Sequence, residues 1–285
     1  MHDFTLNSLQ ILGPGITDYI IGSIDGLGEP NIRLTQYDTP GQDGGIITTS
    51  YLGIRLVTIS GKVTGGSPTL YWQNRRTLAA ACAATYDNNG LLQTIPCIFT
   101  ALDGNQYQFD AVASRVSFVD GSPSFANLQI ILNVADGIIY GQQDISSGLI
   151  TRPSSGGVPF PLVFDPTIEF GSSTGGSTTI NNYGNASVWP IIYLRGAMTN
   201  PTIYHQGQQK TMQLQTTLGT NDTVAIDMKN KTIVLNGNTS LLSAKTSDSD
   251  WFSILPGNNT ITFNTSLTSD GGTVEVTFNP GYYAI

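Results

Sequence analysis

Two histidines, two cysteines and three glutamates are the scarce reactive groups of this 285-residue chain. A serine nucleophile would have to recruit His205, because His2 stands at the terminus, and no Gly-x-Ser-x-Gly elbow accompanies it. His205 instead reads as a polar histidine at the end of a strand that begins at Thr202. Glycoside hydrolysis needs two carboxylates with unlike proton affinities. Asp165 and Glu169 are the nearest pair, yet alternation sets them on one strand face with Pro166 between, which reads as a strand entrance. Cys82 and Cys97 with two remote histidines fall short of the four ligands a structural zinc needs, so two reduced, buried thiols are expected. The glycines from Gly171 to Gly176 precede strand-like residues and open no helix, so they make no phosphate cradle. No catalytic, cofactor or metal set emerges, and the chain does not read as an enzyme.

Binding classes are narrowed by charge. Twelve basic against 20 acidic residues give −8, with no Lys/Arg cluster to neutralise phosphates, so sequence-specific nucleic-acid binding is not expected. No run of 18 apolar residues would cross a membrane, and the first residues lack the basic-then-apolar pattern of a secretory signal. Trp72, Trp189, Trp251 and twelve tyrosines could serve as sugar platforms. Of these, Trp189 reads as packed between sheets and Trp251 as an exposed aromatic after a polar loop. Six Asn-x-Ser/Thr triplets starting between Asn185 and Asn264 carry no weight in a Thr-rich chain.

The elements that must position any site are mostly strands. Charged residues are 11% of the chain against about 25% in an ordinary soluble domain, and glycine contributes 32 residues. Asp-Gly recurs at 25, 43, 103, 120, 136 and 270, and Asn-Gly at 89 and 236. Both dipeptides tolerate the positive φ of hairpin turns. The clearest hairpin joins Ile95–Leu102 to Gln106–Ala113 around Asp103-Gly104. Val224, Ile226 and Met228 alternate on one face, as do Met212 and Leu214, Ile261 and Phe263, and Val274, Val276 and Phe278. One helix is predicted over Leu70–Ala84, capped by Ser67 with Pro68 in its first turn and with Tyr71, Leu78 and Cys82 as its buried stripe. Arg75 and Arg76 in its middle are either a solvated face or a contact to a neighbouring subunit. The Pro/Gly/Ser-rich stretch 141–161 suggests a domain boundary, giving 1–145 and 146–285, and 171–184 reads as a long loop within the second domain.

Several segments in order resemble the distal tail protein (Dit) family of siphophages. They are Gly41-Gln42-Asp43-Gly44-Gly45, then Leu52 to Gly61, the helix with Arg76-Thr77-Leu78, the hairpin at Asp103-Gly104, and Ala135 to Gly141. Further on come Asn182 to Ala186, Pro190, Leu194-Arg195-Gly196, Ala225-Ile226-Asp227, and Leu255 to Asn259. The resemblance implies a mainly β protein of two β-sandwich-type domains. The N-terminal one would have a single α-helix and a projecting β-hairpin, and the C-terminal one would be galectin-like. It implies a structural virion protein, a homohexameric ring between tail tube and tail-tip hub with a central channel for DNA. It also implies residence at the phage tail tip after assembly in the host cytoplasm. A receptor-binding protein docked on the ring would then recognise the host.

The resemblance places the hairpin around Pro30–Ile59 with its tip at Pro40–Ile46. Gln42, Asp43, Gly44, Gly45, Arg75 and Arg76 are thereby candidates for the ring interface. A head-to-tail ring needs two different complementary patches on each chain, and an acidic wall would keep DNA from sticking. The galectin sugar constellation of His, Arg, Trp and Glu has no equivalent around Trp189, Trp251 or His205. The rival function is a carbohydrate-binding β-sandwich protein for host-surface attachment, in which Trp251 would be the contact.

Overall fold

The computed structural model describes residues 3–153, 176–267 and 269–285. Asp165, Glu169 and the linker residues Ser154-Ser155-Gly156-Gly157 lie outside them. The chain forms two units. One runs to Gln143 and takes back Gly281–Ile285; the other is Asp144–Pro280.

The first unit holds β1 (Asp3–Leu6), β2 (Leu9–Leu12), β3 (Tyr19–Asp25), β4 (Ile32–Asp38), β5 (Gly45–Leu52) and β6 (Arg55–Thr64). Helix α1 (Pro68–Ala81) follows, then β7 (Thr85–Tyr86), β8 (Leu92–Gln93), β9 (Ile95–Thr100), β10 (Gln106–Ser122), β11 (Phe125–Val134) and β12 (Ile139–Gly141). The main path is β2-β1-β9-β10-β11-β6-β3. The 17-residue β10 serves two sheets: Gln106–Ala111 pair with β9, and Val112–Ser122 pair with β11. A register shift between Ala113 and Arg115 lies just past the changeover, where an extra residue bends a strand. The two halves therefore face each other across one core, with Phe4, Leu6, Ile59, Phe99, Phe109, Ile130 and Leu132 inside.

Helix α1 covers part of that core. Ser67 Oγ accepts from the Leu70 amide and Pro68 occupies the first turn. Tyr71, Leu78 and Cys82 are buried, as the 3.6-residue period requires, but the helix stops at Ala81 rather than Ala84. Tyr19 Oη donates to the Asn74 carbonyl (3.0 Å) and Asn74 Nδ2 donates to the Thr64 carbonyl (2.9 Å), tying the helix to β3 and β6. Cys82 and Cys97 are free and buried, and burial pushes their thiols up to about 11 and about 12. They are inert at neutral pH.

The second unit is built from two main sheets and a two-stranded one, Met198–Thr199 with Thr217–Leu218. The larger runs Ile145–Ser146, Thr273–Phe278, Ile191–Arg195, Thr223–Asp227, Thr232–Leu235, Thr239–Ser240. The smaller runs Ser177–Asn182, Gly257–Asn264, Thr202–His205, Lys210–Gln213. Ile192, Leu194, Val224, Ile226, Val274 and Val276 on one sheet, and Ile203, Met212, Ile261 and Phe263 on the other, are fully buried and alternate with wetter neighbours. The expected loop over 171–184 is thus partly a strand, since Ser177–Asn182 pair along their whole length with Gly257–Thr262. Trp189 is also corrected: it is 41% exposed, and its neighbour Val188 takes the buried place by bridging to Ile254.

The strand Gly281–Tyr282 leaves the second unit and pairs with β12, Ile139 opposite Tyr282 and Tyr140 opposite Gly281. Arg55 fixes this return. Its side chain is 1% exposed and its guanidinium meets carbonyls from three distant places. Nη1 donates to Gly26 (2.8 Å) and Gly28, and Nη2 donates to Gly137 (2.9 Å) and Tyr283 (2.6 Å). Gly26 must be glycine: its φ is +93° and a Cβ would stand 1.9 Å from the Leu56 carbonyl oxygen.

Replacing Arg55 by Met would leave those carbonyls without their donor in a dry site. The expected cost is about 3 kcal/mol of stability, read as an earlier midpoint in denaturant unfolding. A midpoint unchanged from wild type would show that the clamp is dispensable.

Candidate functional site

Among the described residues, no group of His, Cys, Asp and Glu is placed to hold a metal ion. His205 ends its strand as expected but is buried rather than solvent-facing, at 1% exposure. Its Nε2 lies 3.0 Å from Asn259 Oδ1, its Nδ1 accepts from the Gln208 amide, and Phe252 stands edge-on at 5.5 Å. With Nδ1 accepting, the proton sits on Nε2 and is donated to Asn259. Asn259 in turn holds its own loop, accepting from the Leu255 amide and donating to the Leu255 and Gly257 carbonyls. This is a structural histidine, and among the described residues no carboxylate orients it and no nucleophile bonds to it. Burial lowers its pKa below the ordinary 6.5, against the opposing effect of the hydrogen bond it donates to Asn259.

The feature that the fold leaves unfinished is the hairpin β4–β5. It forms its own two-stranded sheet, Ile32 opposite Leu52 through Asp38 opposite Gly45. Every residue of β4 is exposed, and every residue of β5 except the half-buried Leu52. Ile32, Leu34, Tyr37, Ile46, Ile47 and Tyr51 are among them, Tyr37 and Tyr51 at 62% and 63%. Alternating β-branched and aromatic residues make such strands, but two strands with both faces in water are marginal alone. The composition is that of a covered surface.

The hairpin is shorter than the Pro30–Ile59 expectation. Arg55–Thr64 already belongs to the sheet, with Val57 and Ile59 in the core. Of the predicted tip residues, Gln42, Asp43 and Gly44 lie in the turn, where Gly44 has φ +95°, whereas Gly45 starts β5. Deleting Gln42–Gly45 removes an exposed turn and the exposed first residue of β5, neither of which supports core, so thermal unfolding of the chain should shift by less than about 0.5 kcal/mol equivalent. Loss of cooperative unfolding would contradict that.

The remaining candidates part company. Arg75 is drawn into its own chain: Nη1 is 2.7 Å from Asp120 Oδ1, and the guanidinium lies 4.8 Å from the Trp72 ring and 4.6 Å from the Phe118 ring. Arg76, one position on, is exposed. Trp251 is half-buried and Phe252 beside it fully buried. The clamp residue Arg55 was missed as a distinctive position, although strand parity gives it away: Arg55, Val57, Ile59, Gly61 and Val63 share one face of β6.

The state of His205 sets a pH dependence. Well above pH 6.5 it is neutral folded and unfolded, and contributes no slope. Below 6.5 the unfolded chain takes the proton first, because the folded pKa is the lower one, so stability falls as pH falls. Denaturant midpoints measured downward from neutral pH should decline for wild type and decline less for His205→Gln. Parallel curves would remove His205 from the pH response.

Residues 183–282 match the model of the siphovirus-type tail component, C-terminal domain. Over 98% of this chain and 99% of that one, the fold is similar to the crystal structure of the SPP1 Dit protein, described as a paradigm of the hub adsorption apparatus in phages infecting Gram-positive hosts (TM-score 0.69, 17% identity). Chains of the activated phage p2 baseplate are also similar. The form with Sr has TM-score 0.51 and 10% identity over 98% of each chain. The form with Ca has 0.52 and 10% over 97% and 98%. No curated protein matches the sequence. A mainly β chain of two sheet units with one helix and an uncovered hairpin thus has the fold of the SPP1 Dit protein, and within it residues 183–282 match the siphovirus-type tail component, C-terminal domain.

Proposed function

We propose that the chain is the distal tail adaptor of a long-tailed phage, a homohexameric ring joining tail tube to tail-tip hub around a channel for DNA. The ring is formed by the first unit, residues 1–143 with 281–285. The observation that carries this reading is the hairpin: an apolar two-stranded ribbon with both faces in water needs a standing partner. A head-to-tail ring supplies one for every subunit, since each hairpin leaves its own chain and reaches the next. Tail tube protein above and a hub or tail-associated protein below are the neighbours such an adaptor requires, and a receptor-binding protein can dock on its outside. The net charge of −8 suits a conduit for a polyanion, because like charge opposes adsorption.

Light scattering behind size exclusion tests the ring. A species of about 182 kDa, six times the 30.4 kDa chain, is expected at high protein concentration. A monomer at every concentration would count against self-assembly through the hairpin.

A further inference from the structure

The second unit carries an apolar surface that its own core does not use. Val188 and Ile254 exchange both backbone hydrogen bonds, the Val188 amide donating to the Ile254 carbonyl (3.0 Å) and the Ile254 amide to the Val188 carbonyl (2.7 Å). This antiparallel bridge sets Trp189 opposite Ser253 and Ser187 opposite Leu255. Ala186, Val188, Phe252 and Ile254 point inward and are 1% exposed or less. Alternation therefore turns Ser187, Trp189, Trp251, Ser253 and Leu255 to the other side. Trp189 is exposed at 41%, Leu255 is exposed as well, and Trp251 is half-buried. Trp251 is the diagonal neighbour of Trp189, about 7–8 Å away across the strand pair. The two indoles thus share one surface, with Ser253 beside both.

None of these five side chains ionises, and the polar groups among them are open. Among the described residues, neither indole N–H has a hydrogen-bond partner, and neither does the hydroxyl of Ser187 or Ser253. The backbone beneath them is fixed by the bridge, by the buried residues between them, and by Gln208 Nε2, which donates to the Ser253 carbonyl. Single exposed aromatics are ordinary, but two tryptophans, a leucine and two free hydroxyls on one charge-free surface are not. Five side chains fall well short of the roughly 20–30 residues a side of a stable protein interface. Asp248 and Asp250 stand just before Trp251, and with the net charge of −8 they oppose an anionic polymer. The surface is shaped for a small, uncharged ligand rich in hydroxyls.

We propose that this surface binds a neutral, β-1,4-linked chain of gluco-configured hexopyranoses. Trp189 and Trp251 are its stacking platforms, and the indole N–H groups with the Ser187 and Ser253 hydroxyls bond the sugar hydroxyls. The face of an indole is the negative part of its quadrupole, and the axial C–H groups of such a sugar are a weakly positive complement. Equatorial substituents and β-1,4 linkage make the chain a flat ribbon, which suits a strand pair better than it would a pit. The site stands on the second unit alone and does not depend on the ring reading. Two shallow stacking contacts hold a sugar weakly, but a ring of six copies would present six such sites to one polymer and bind it by avidity.

Titration of the full chain with cellohexaose and with chitohexaose, followed by tryptophan emission and calorimetry, tests the site. Saturable binding of at least one of them is expected, with a dissociation constant of about 0.1–1 mM. Trp189→Ala removes a platform and Ser253→Arg sets a charged stem beside both, so each should weaken binding about tenfold or more. Both side chains reach solvent, so unchanged thermal melts establish that each variant is folded. Trp72→Ala, in α1 of the first unit, removes the remaining indole from the emission and should leave the affinity within about twofold of wild type. No saturable binding of either oligosaccharide up to about 10 mM overturns the proposal. Binding that survives both Trp189→Ala and Ser253→Arg puts the sugar elsewhere and overturns it as well. Neither outcome bears on the ring reading, which the solution mass decides.

Discussion

A guanidinium without water has to be surrounded by acceptors, and Arg55 finds them only in backbone carbonyls. Those carbonyls come from the loop after β3, the turn between β11 and β12, and the residues after the last strand. The charged form is disfavoured by burial and favoured by nearby Asp136, with burial the larger effect. The four bonds offset part of that penalty while Nε goes without a partner. Such a site holds only if all three segments arrive together, so the clamp makes the first unit depend on residues 228 positions away in sequence.

That dependence explains how an uncovered hairpin can be aimed. The chain enters it just after Gly26 and Gly28, whose carbonyls Arg55 binds, and leaves it just before Arg55 itself. Both ends are anchored in one buried group, and the Gly53 amide adds a bond to the Asn31 carbonyl across the base (2.6 Å). A ribbon rooted this way keeps its direction although nothing packs along its length. The same clamp holds the Gly281–Tyr282 strand against β12, where Tyr282 meets Tyr107 edge-on at 5.2 Å. The chain therefore leaves the first unit and re-enters it along neighbouring antiparallel strands, and the second unit is inserted in the topology of the first.

Much of the fold was legible because it is local. Asp103-Gly104 does turn β9 into β10, the alternation at Val224 to Met228 and at Val274 to Phe278 does mark buried faces, and Ser67-Pro68 does start the helix. What escaped is long-range or inverted. Nothing near Tyr282 announces a partner at Ile139, and Asp-Gly at 120 gave no warning that β10 would run 17 residues and serve two sheets. Around Arg55 hydropathy points the wrong way: Ile54 and Leu56 are exposed at 58% and 48%, and the arginine between them is inside. The hairpin shows the same inversion at larger scale. Its Ile, Leu and Tyr residues lie in water, and the resemblance to tail proteins, not periodicity, is what points to a projecting element there.

An exposed apolar ribbon with free edges is also what proteins normally avoid, because it recruits any other strand edge. Several features restrain this one. Arg33 and Asp38 put opposite charges on opposite faces, so a copy that stacks with the wrong face meets the wrong sign. A register shift between Thr35 and Gln36 increases the twist of the ribbon, which spoils flat edge-to-edge stacking. The loop Gly41–Gly44 at the tip supplies no strand to extend the sheet. The ribbon is thus apolar enough to require a partner and irregular enough to reject a random one. Those are the properties a subunit needs if it must stay dispersed until assembly and then close with its own kind.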